Sequence, residues 1–415
     1  MIKRALTNTG WLMGARGVNA VLSLAYLALA TRSLGLAGFG QFILVVTFAQ
    51  ALVGFVSFQS WQVVVRWGQS KETLGDATGF ALALDMTSMA VGAVAAALIL
   101  WLAGSWLPLP PELRLTAFAY ALVLLLTLRS TPTGILRLHD RYARAATADS
   151  VTSVVRVTGA GLVALLAPSI PAFLLVWALG EVATTATYWY FARKSQPLYW
   201  RHMSLRRVPA SEPGVWRFVT GTTLSGMLSI TSRQVLVLVL GSLGGAALAG
   251  LYRVASQLGE GVLKLAQALL KAVYPELVRS PAAAKAIAAR IGRIAVATGM
   301  AAVVLALVAG RWVIGVIAGD EFLPAYTPMI LLSAAAAIEL GGASLEALLV
   351  ARGRALTNFV LRAVPTGLAL LALVFLVDDH GAAAAGMAVL GASVATVTGL
   401  FFVNRRLERG QSQAT

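Results

Sequence analysis

About twelve apolar stretches, each long enough to carry a helix through roughly 30 Å of hydrocarbon, follow one another along this chain with little polar sequence between them. Of its 415 residues 58% are hydrophobic and only 12% are charged, whereas a soluble domain carries about 25% charged residues. The stretches are too long and too uniformly apolar for the short alternating strands of an outer-membrane barrel. An all-α polytopic membrane protein is therefore expected, with spans near 11–34, 38–65, 77–103, 112–138, 146–167 and 170–192, and a second set near 214–241, 246–274, 291–317, 325–351, 355–377 and 382–404.

The net charge of +16 could suggest nucleic acid, but its placement excludes that reading. Lys3 and Arg4 precede the first span, Arg66 and Lys71 follow the second, and Arg137, Arg141 and Arg144 follow the fourth. Arg193, Lys194, Arg201, Arg206 and Arg207 follow the sixth, and Arg405, Arg406 and Arg409 close the chain. The alternate connections hold Arg32, Arg114 and Arg311, and they gather Asp320, Glu321, Asp378 and Asp379. Basic residues flank cytoplasmic loops. The pattern predicts an even number of spans in a bacterial inner membrane, with both termini cytoplasmic.

There are no cysteines, which excludes disulfides, thiol catalysis and cysteine metal sites. The basic start and Ala28-Leu29-Ala30 imitate a cleavable signal peptide, but Arg16 and Asn19 interrupt the apolar run, so an uncleaved first helix is expected. No phosphate-binding Gly-x-x-x-x-Gly-Lys loop is present, and His139, His202 and His380 fall far apart in connections. No catalytic constellation, metal site or cofactor is expected.

The longest polar connection, 193–213, carries Pro197, Pro209 and Pro213 among basic residues and reads as a cytoplasmic linker. It separates an N-terminal lobe, 1–192, from a C-terminal lobe, 214–415. Six spans return each lobe to its starting side, so the two are expected to be parallel repeats. Ser33-Leu34-Gly35 with Gly38-Phe39-Gly40 in the first turn has a counterpart in Ser242-Leu243-Gly244 with Gly250-Leu251-Tyr252.

Charge inside a span costs roughly 2.5–3.5 kcal/mol on insertion scales and so faces protein or water. On the eighth span Arg253, Gln257, Glu260, Lys264, Gln267 and Lys271 fall on one helical face. The first span repeats the pattern with Arg16, Asn19, Ser23 and Tyr26, and the seventh with Thr222, Ser225, Ser229 and Arg233. Three such faces predict a lined central cleft between the lobes, with packing as the alternative. Asp85, Arg129, Asp149, Arg156, Glu181, Glu339, Glu346 and Arg362 also lie within spans. Of these, Asp85 and Glu339, together with Glu260, are read as cation-coupling sites or as members of structural ion pairs. Pro132 and Pro365, each in Arg-x-x-Pro-Thr-Gly, are expected to kink their helices.

Ala30-Thr31-Arg32-Ser33-Leu34-Gly35, Gly250-Leu251-Tyr252-Arg253-Val254-Ala255 leading to Tyr274-Pro275, and Gly319-Asp320-Glu321-Phe322-Leu323-Pro324-Ala325-Tyr326 give the chain a wider likeness. In these passages it resembles the polysaccharide (O-antigen or exopolysaccharide) flippases of the multidrug/oligosaccharidyl-lipid/polysaccharide exporter superfamily. The resemblance implies two six-helix lobes opening alternately to each side and a cargo of oligosaccharide on an isoprenoid pyrophosphate lipid. It also implies polysaccharide polymerase and chain-length machinery as partners. Arg16, Arg233, Arg253 and Lys264 are the candidate pyrophosphate ligands, because a guanidinium offers a planar fork of donors to such a group. Where family members often carry an acidic residue in the seventh span, this chain has Arg233 and Gln234.

Two other functions compete. A multidrug-type cation-coupled antiporter should favour acidic and aromatic residues in its cavity, whereas the polar faces here are net basic. A membrane glycan polymerase or transferase should carry a sizeable external loop with clustered acids, and the external connections here are short.

Overall fold

The computed structural model describes the backbone of residues 2–102, 104, 106–198, 200–278, 284–351 and 354–412. It describes their side chains except at 2–16, 71, 200, 225, 228–232, 260–295, 344, 347–348, 350–351, 355 and 408–412. The regular elements among these residues are all helical: α1 Ile2–Val56, α2 Ser60–Trp67, α3 Lys71–Leu102, α4 Pro111–Leu126, α5 Ser130–Leu138, α6 Tyr142–Leu166, α7 Ile170–Ser195, α8 Arg207–Ser211, α9 Val215–Val278, α10 Ala284–Ile317, α11 Tyr326–Ala351, α12 Ala355–His380 and α13 Ala382–Ser412. Two 3-10 turns, Trp200–His202 and Asp320–Ala325, join the set.

Two of these helices are too long for one crossing, and each bends at a glycine: α1 at Gly35 (φ 64°) and α9 at Gly245 (φ 82°). Positive φ is costly for residues with a Cβ and free for glycine. The two bends lie at nearly matching places in the two halves, as the sequence repeat predicts, with the second one residue beyond the aligned Gly244. Among the described residues ten helical stretches are long and apolar enough to cross a membrane, the first of them, Gly17–Trp67, being long enough for two passages. Their exposed faces carry large apolar side chains such as Trp101, Leu165, Val308 and Phe375, as lipid contact requires.

The chain divides into two compact units, Met1–Leu34 with Gln41–Leu238, and Gly35–Gly40 with Val239–Thr415. In the second unit the bend of α1 is held by three contacts. A Cβ on Gly40 would lie 1.9 Å from the Ala246 carbonyl oxygen, so only glycine permits this approach of backbones. Phe39 meets Phe322 edge to face at 5.7 Å, and Glu321 Oε2 accepts from the Leu36 amide at 3.0 Å.

In the first unit α2 packs on α3 and α5, and α6 packs on α7. The core around α3 joins Val63, Phe80, Leu84, Val208, Val215 and Val219. Segment 193–213 is bound to α3: Asp76 Oδ1 lies 2.7 Å from His202 Nδ1 and accepts from Arg207 at 3.3 Å. A Cβ on Gly79 would lie 2.0 Å from the His202 carbonyl oxygen, which makes the glycine necessary here.

The prolines behave differently from one another. The fourth span is broken at 127–129, just before Pro132, whereas α12 runs unbroken through Pro365. Near Pro132 the expected kink takes the form of a full break, while at Pro365 the helix continues. Proline in a helix removes one hydrogen bond, and the Leu361 carbonyl left without an amide accepts instead from Thr396 Oγ1 of α13 at 3.2 Å.

Candidate functional site

Two neighbouring spans of the first unit break within their apolar stretches. α1 ends at Val56 and α2 begins at Ser60, across Ser57-Phe58-Gln59, which contains neither glycine nor proline. The freed backbone finds side-chain partners: the Phe58 amide donates to Ser88 Oγ at 3.3 Å and the Trp61 amide to Ser130 Oγ at 3.0 Å. The second of these ties the start of α2 to the start of α5, beside the break at 127–129.

Asp85 of α3 joins the same two helix starts. It is 2% exposed and accepts from Ser60 Oγ at 2.5 Å, from the Thr131 amide at 3.0 Å and from Thr131 Oγ1 at 2.7 Å. Among the described residues it has no ion-pair partner. Its carboxylate is balanced instead by the unpaired amides and positive dipole ends of α2 and α5.

Beside the first break lies a cavity of about 670 Å³ lined by Gln59, Gln62, Gly214, Arg217, Phe218, Gly221, Thr222 and Gly226. From Gly214 to Gly226 it follows α9 for twelve residues, roughly 18 Å at 1.5 Å per residue. The lining includes one guanidinium, two carboxamides and a hydroxyl, but no carboxylate. Gln59 spends its Oε1 on the Trp61 indole at 2.9 Å. Arg66 lies 4.6 Å from the centre of the Phe218 ring, and Arg137 lies 4.0 Å from the Trp61 ring. Helix-breaking backbone within a span is tolerated where it is buried in protein or lines a cavity; here its amides are paired with Ser88 and Ser130 and Gln59 lines the groove.

The other described carboxylates predicted within spans all have hydrogen-bond partners, and two of them, Glu181 and Glu346, pair with arginines. Glu181 accepts from Arg129 at 2.6 Å and from Arg156 at 2.9 Å. Arg156 also lies 5.1 Å from the Trp177 ring. Glu346 accepts from Arg362 at 2.6 Å and from Asn358 at 3.0 Å. Glu339 accepts from Ser393 Oγ at 3.0 Å, and Asp149 accepts from the Tyr188 hydroxyl at 2.9 Å. No group of three or more His, Asp or Glu side chains among the described residues could hold a metal ion.

The predicted pyrophosphate ligands fall in different places. Arg233 is exposed on the first leg of α9, and Arg253 is half-buried on the second. Arg16, Glu260 and Lys264 lie outside the residues whose side chains are described. The polar face of the first span divides differently from expectation. Asn19 donates to Ser150 at 3.3 Å and Tyr26 packs edge to face on Trp177 at 5.1 Å. Those two side chains are packing contacts with α6 and α7. On the seventh span Thr222 does line a cavity, though one that is an open groove between the start of α2 and α9 within the first unit. Gln59, Gln62, Arg217 and Phe218 carry no motif. The only sequence signal is a pair of amides three residues apart within a span, and packing is the ordinary reading of such a pair.

Comparison with known proteins follows the same lines. Residues 5–280, well over half of the chain, match the family described as polysaccharide biosynthesis protein. Inner membrane protein YghQ of Escherichia coli (strain K12) is 25% identical over 334 residues, covering 77% of this chain and 94% of that protein. A multidrug resistance MATE family transporter of the MOP superfamily, solved in an inward-facing conformation, superposes with a TM-score of 0.69 at 17% identity over 96% of each chain. The lipid II flippase MurJ, in an inward closed conformation, gives 0.68 at 12% identity over 95% of this chain and 87% of its own. At these identities the two solved structures establish the shared two-lobed membrane fold.

Proposed function

Because this chain belongs to the polysaccharide biosynthesis protein family, we propose that it is a flippase, carrying an isoprenoid-pyrophosphate-linked oligosaccharide from the cytoplasmic to the outer leaflet of a bacterial inner membrane by alternating access. The broader reading, a non-catalytic transporter or flippase, has the support of family and fold together. The cargo is argued from charge. Glu181 and Glu346 are committed to arginines and Asp85 to two helix starts. Arg253, by contrast, forms no ion pair with any described residue. That surplus of guanidinium is the observation that carries the reading: it suits a pyrophosphate and repels an organic cation, so a multidrug-type antiporter is the poorer fit. Arg253 and Arg233, with Arg16 and Lys264, are the proposed pyrophosphate ligands.

Deleting the gene is expected to leave the lipid-linked oligosaccharide on the cytoplasmic leaflet and to abolish the surface polymer. Leaflet-specific labelling of the lipid-linked pool reads this out. Unchanged surface glycan in a strain with no second flippase would exclude the assignment.

The proposed orientation places both termini and the 193–213 linker in the cytoplasm. Since the chain has no cysteine, single substitutions report topology without background. In intact cells Ser195→Cys is expected to resist a membrane-impermeant maleimide and Asp379→Cys to react. The reverse pattern would invert the topology.

A further inference from the structure

The cavity between α2 and the start of α9 has no role in the pyrophosphate reading, which places its ligands elsewhere on α9 and on α1. It is nonetheless built as a recognition site. Its volume of about 670 Å³ lies within the roughly 300–1,000 Å³ typical of small-molecule pockets. Along α9 it runs about 18 Å from the linker junction. The Gln62 carboxamide and the Arg217 guanidinium form no hydrogen bond with any described residue, although both line the cavity. Arg217 is exposed and Gln62 half-buried, so both can turn their donors to a ligand that enters the open groove.

The chemistry of the wall narrows the ligand. Paired donors and acceptors on Gln59, Gln62 and Thr222, with one arginine and an aromatic ring, match a polyhydroxylated molecule. With no carboxylate in the lining, the site offers nothing to a cation and is compatible with neutral or acidic sugars. An added Cβ at Gly221 would meet no atom within 4 Å, so this helical position opens onto free space. At Gly226, by contrast, the same atom would meet the Gln59 carboxamide at 2.6 Å. One glycine thus keeps the cavity empty, and the other seats the glutamine that bounds it.

We propose that this cavity is a sugar-binding subsite, taking the glycan of the cargo at the linker end of α9 while the pyrophosphate is held by other arginines. The inference rests on the lipid-linked oligosaccharide reading above. It adds a consequence that reading lacks: the protein senses the sugar as well as the lipid phosphate.

The test uses Gly221→Cys in the otherwise cysteine-free chain, reconstituted in liposomes and reacted with a small maleimide. Two probes are compared: the lipid-linked oligosaccharide extracted from the deletion strain, and the same isoprenyl pyrophosphate without sugar. At about ten times its dissociation constant the sugar-bearing lipid should slow labelling about ten-fold, because only unoccupied protein reacts. The bare lipid should leave the rate unchanged. Gly221→Trp, which fills the cavity, and Gln62→Ala should lose transport of the sugar-bearing lipid while still binding the bare one. Equal protection by both lipids, or protection by neither in a protein that transports normally, overturns the subsite and leaves the flippase reading intact. Absence of any transport by the wild-type protein overturns both.

Discussion

Glu181→Ala is expected to destabilise the first unit by about 3–5 kcal/mol, the usual penalty for removing one member of a buried ionic cluster. Glu181 is the shared partner of Arg129 and Arg156, at 2.6 and 2.9 Å. The Arg156 side chain is only 12% exposed, so it cannot recover full hydration when its carboxylate is lost. Arg129, at 35%, can do so in part. The asymmetry makes a second variant informative. Glu181→Leu combined with Arg156→Met replaces the buried pair by apolar volume and is expected to recover most of the loss. Chemical unfolding in detergent measures both. A single variant within about 0.5 kcal/mol of wild type would mean that the cluster is solvated and not structural.

Asp85→Ala is expected to cost about 2–4 kcal/mol by the same measurement, from a different cause. No charge is left unpaired. Instead the Thr131 amide and the Ser60 and Thr131 hydroxyls lose their acceptor in a site where the carboxylate is 2% exposed. The hydroxyls can turn to nearby carbonyls, but the amide at the start of α5 cannot. Asp85→Asn keeps one acceptor oxygen and should lose roughly half as much. If Asp85 instead serves ion coupling alone, Asp85→Asn should leave stability unchanged and alter only the ion dependence of transport.

The large features were legible because the bilayer enforces them. Span length predicted an all-helical polytopic membrane protein in two lobes, and the fold is of that kind, with ten candidate spans among the described residues. The matched glycines at the first and seventh turns were visible as short motifs, since a positive φ demands a residue without Cβ, as at Gly35 and Gly245. The break at 57–59 was not legible. Ser57-Phe58-Gln59 is compatible with a helix on local grounds, and what opens it is tertiary: Ser88 and Ser130, far along the chain, offer hydroxyls to its backbone. Asp85 was visible as a charge in a span, but its partners are hydroxyls and an amide, whose ordinary abundance leaves no pattern to read. Arg156 and Glu181 are 25 residues apart, and helical periodicity relates only neighbours three or four residues apart on one helix.

The central claim is that Arg253 and the other proposed basic ligands hold the pyrophosphate of a lipid-linked oligosaccharide. Its most direct test is transbilayer movement of that lipid in proteoliposomes holding the wild-type protein, Arg253→Ala or Arg253→Lys at equal density. Lysine keeps the charge of Arg253 but not its fork of donors. The account predicts transport by the wild type, a partial loss with lysine and a deeper loss with alanine, all three being equally well folded. Wild-type rates from Arg253→Ala would contradict it.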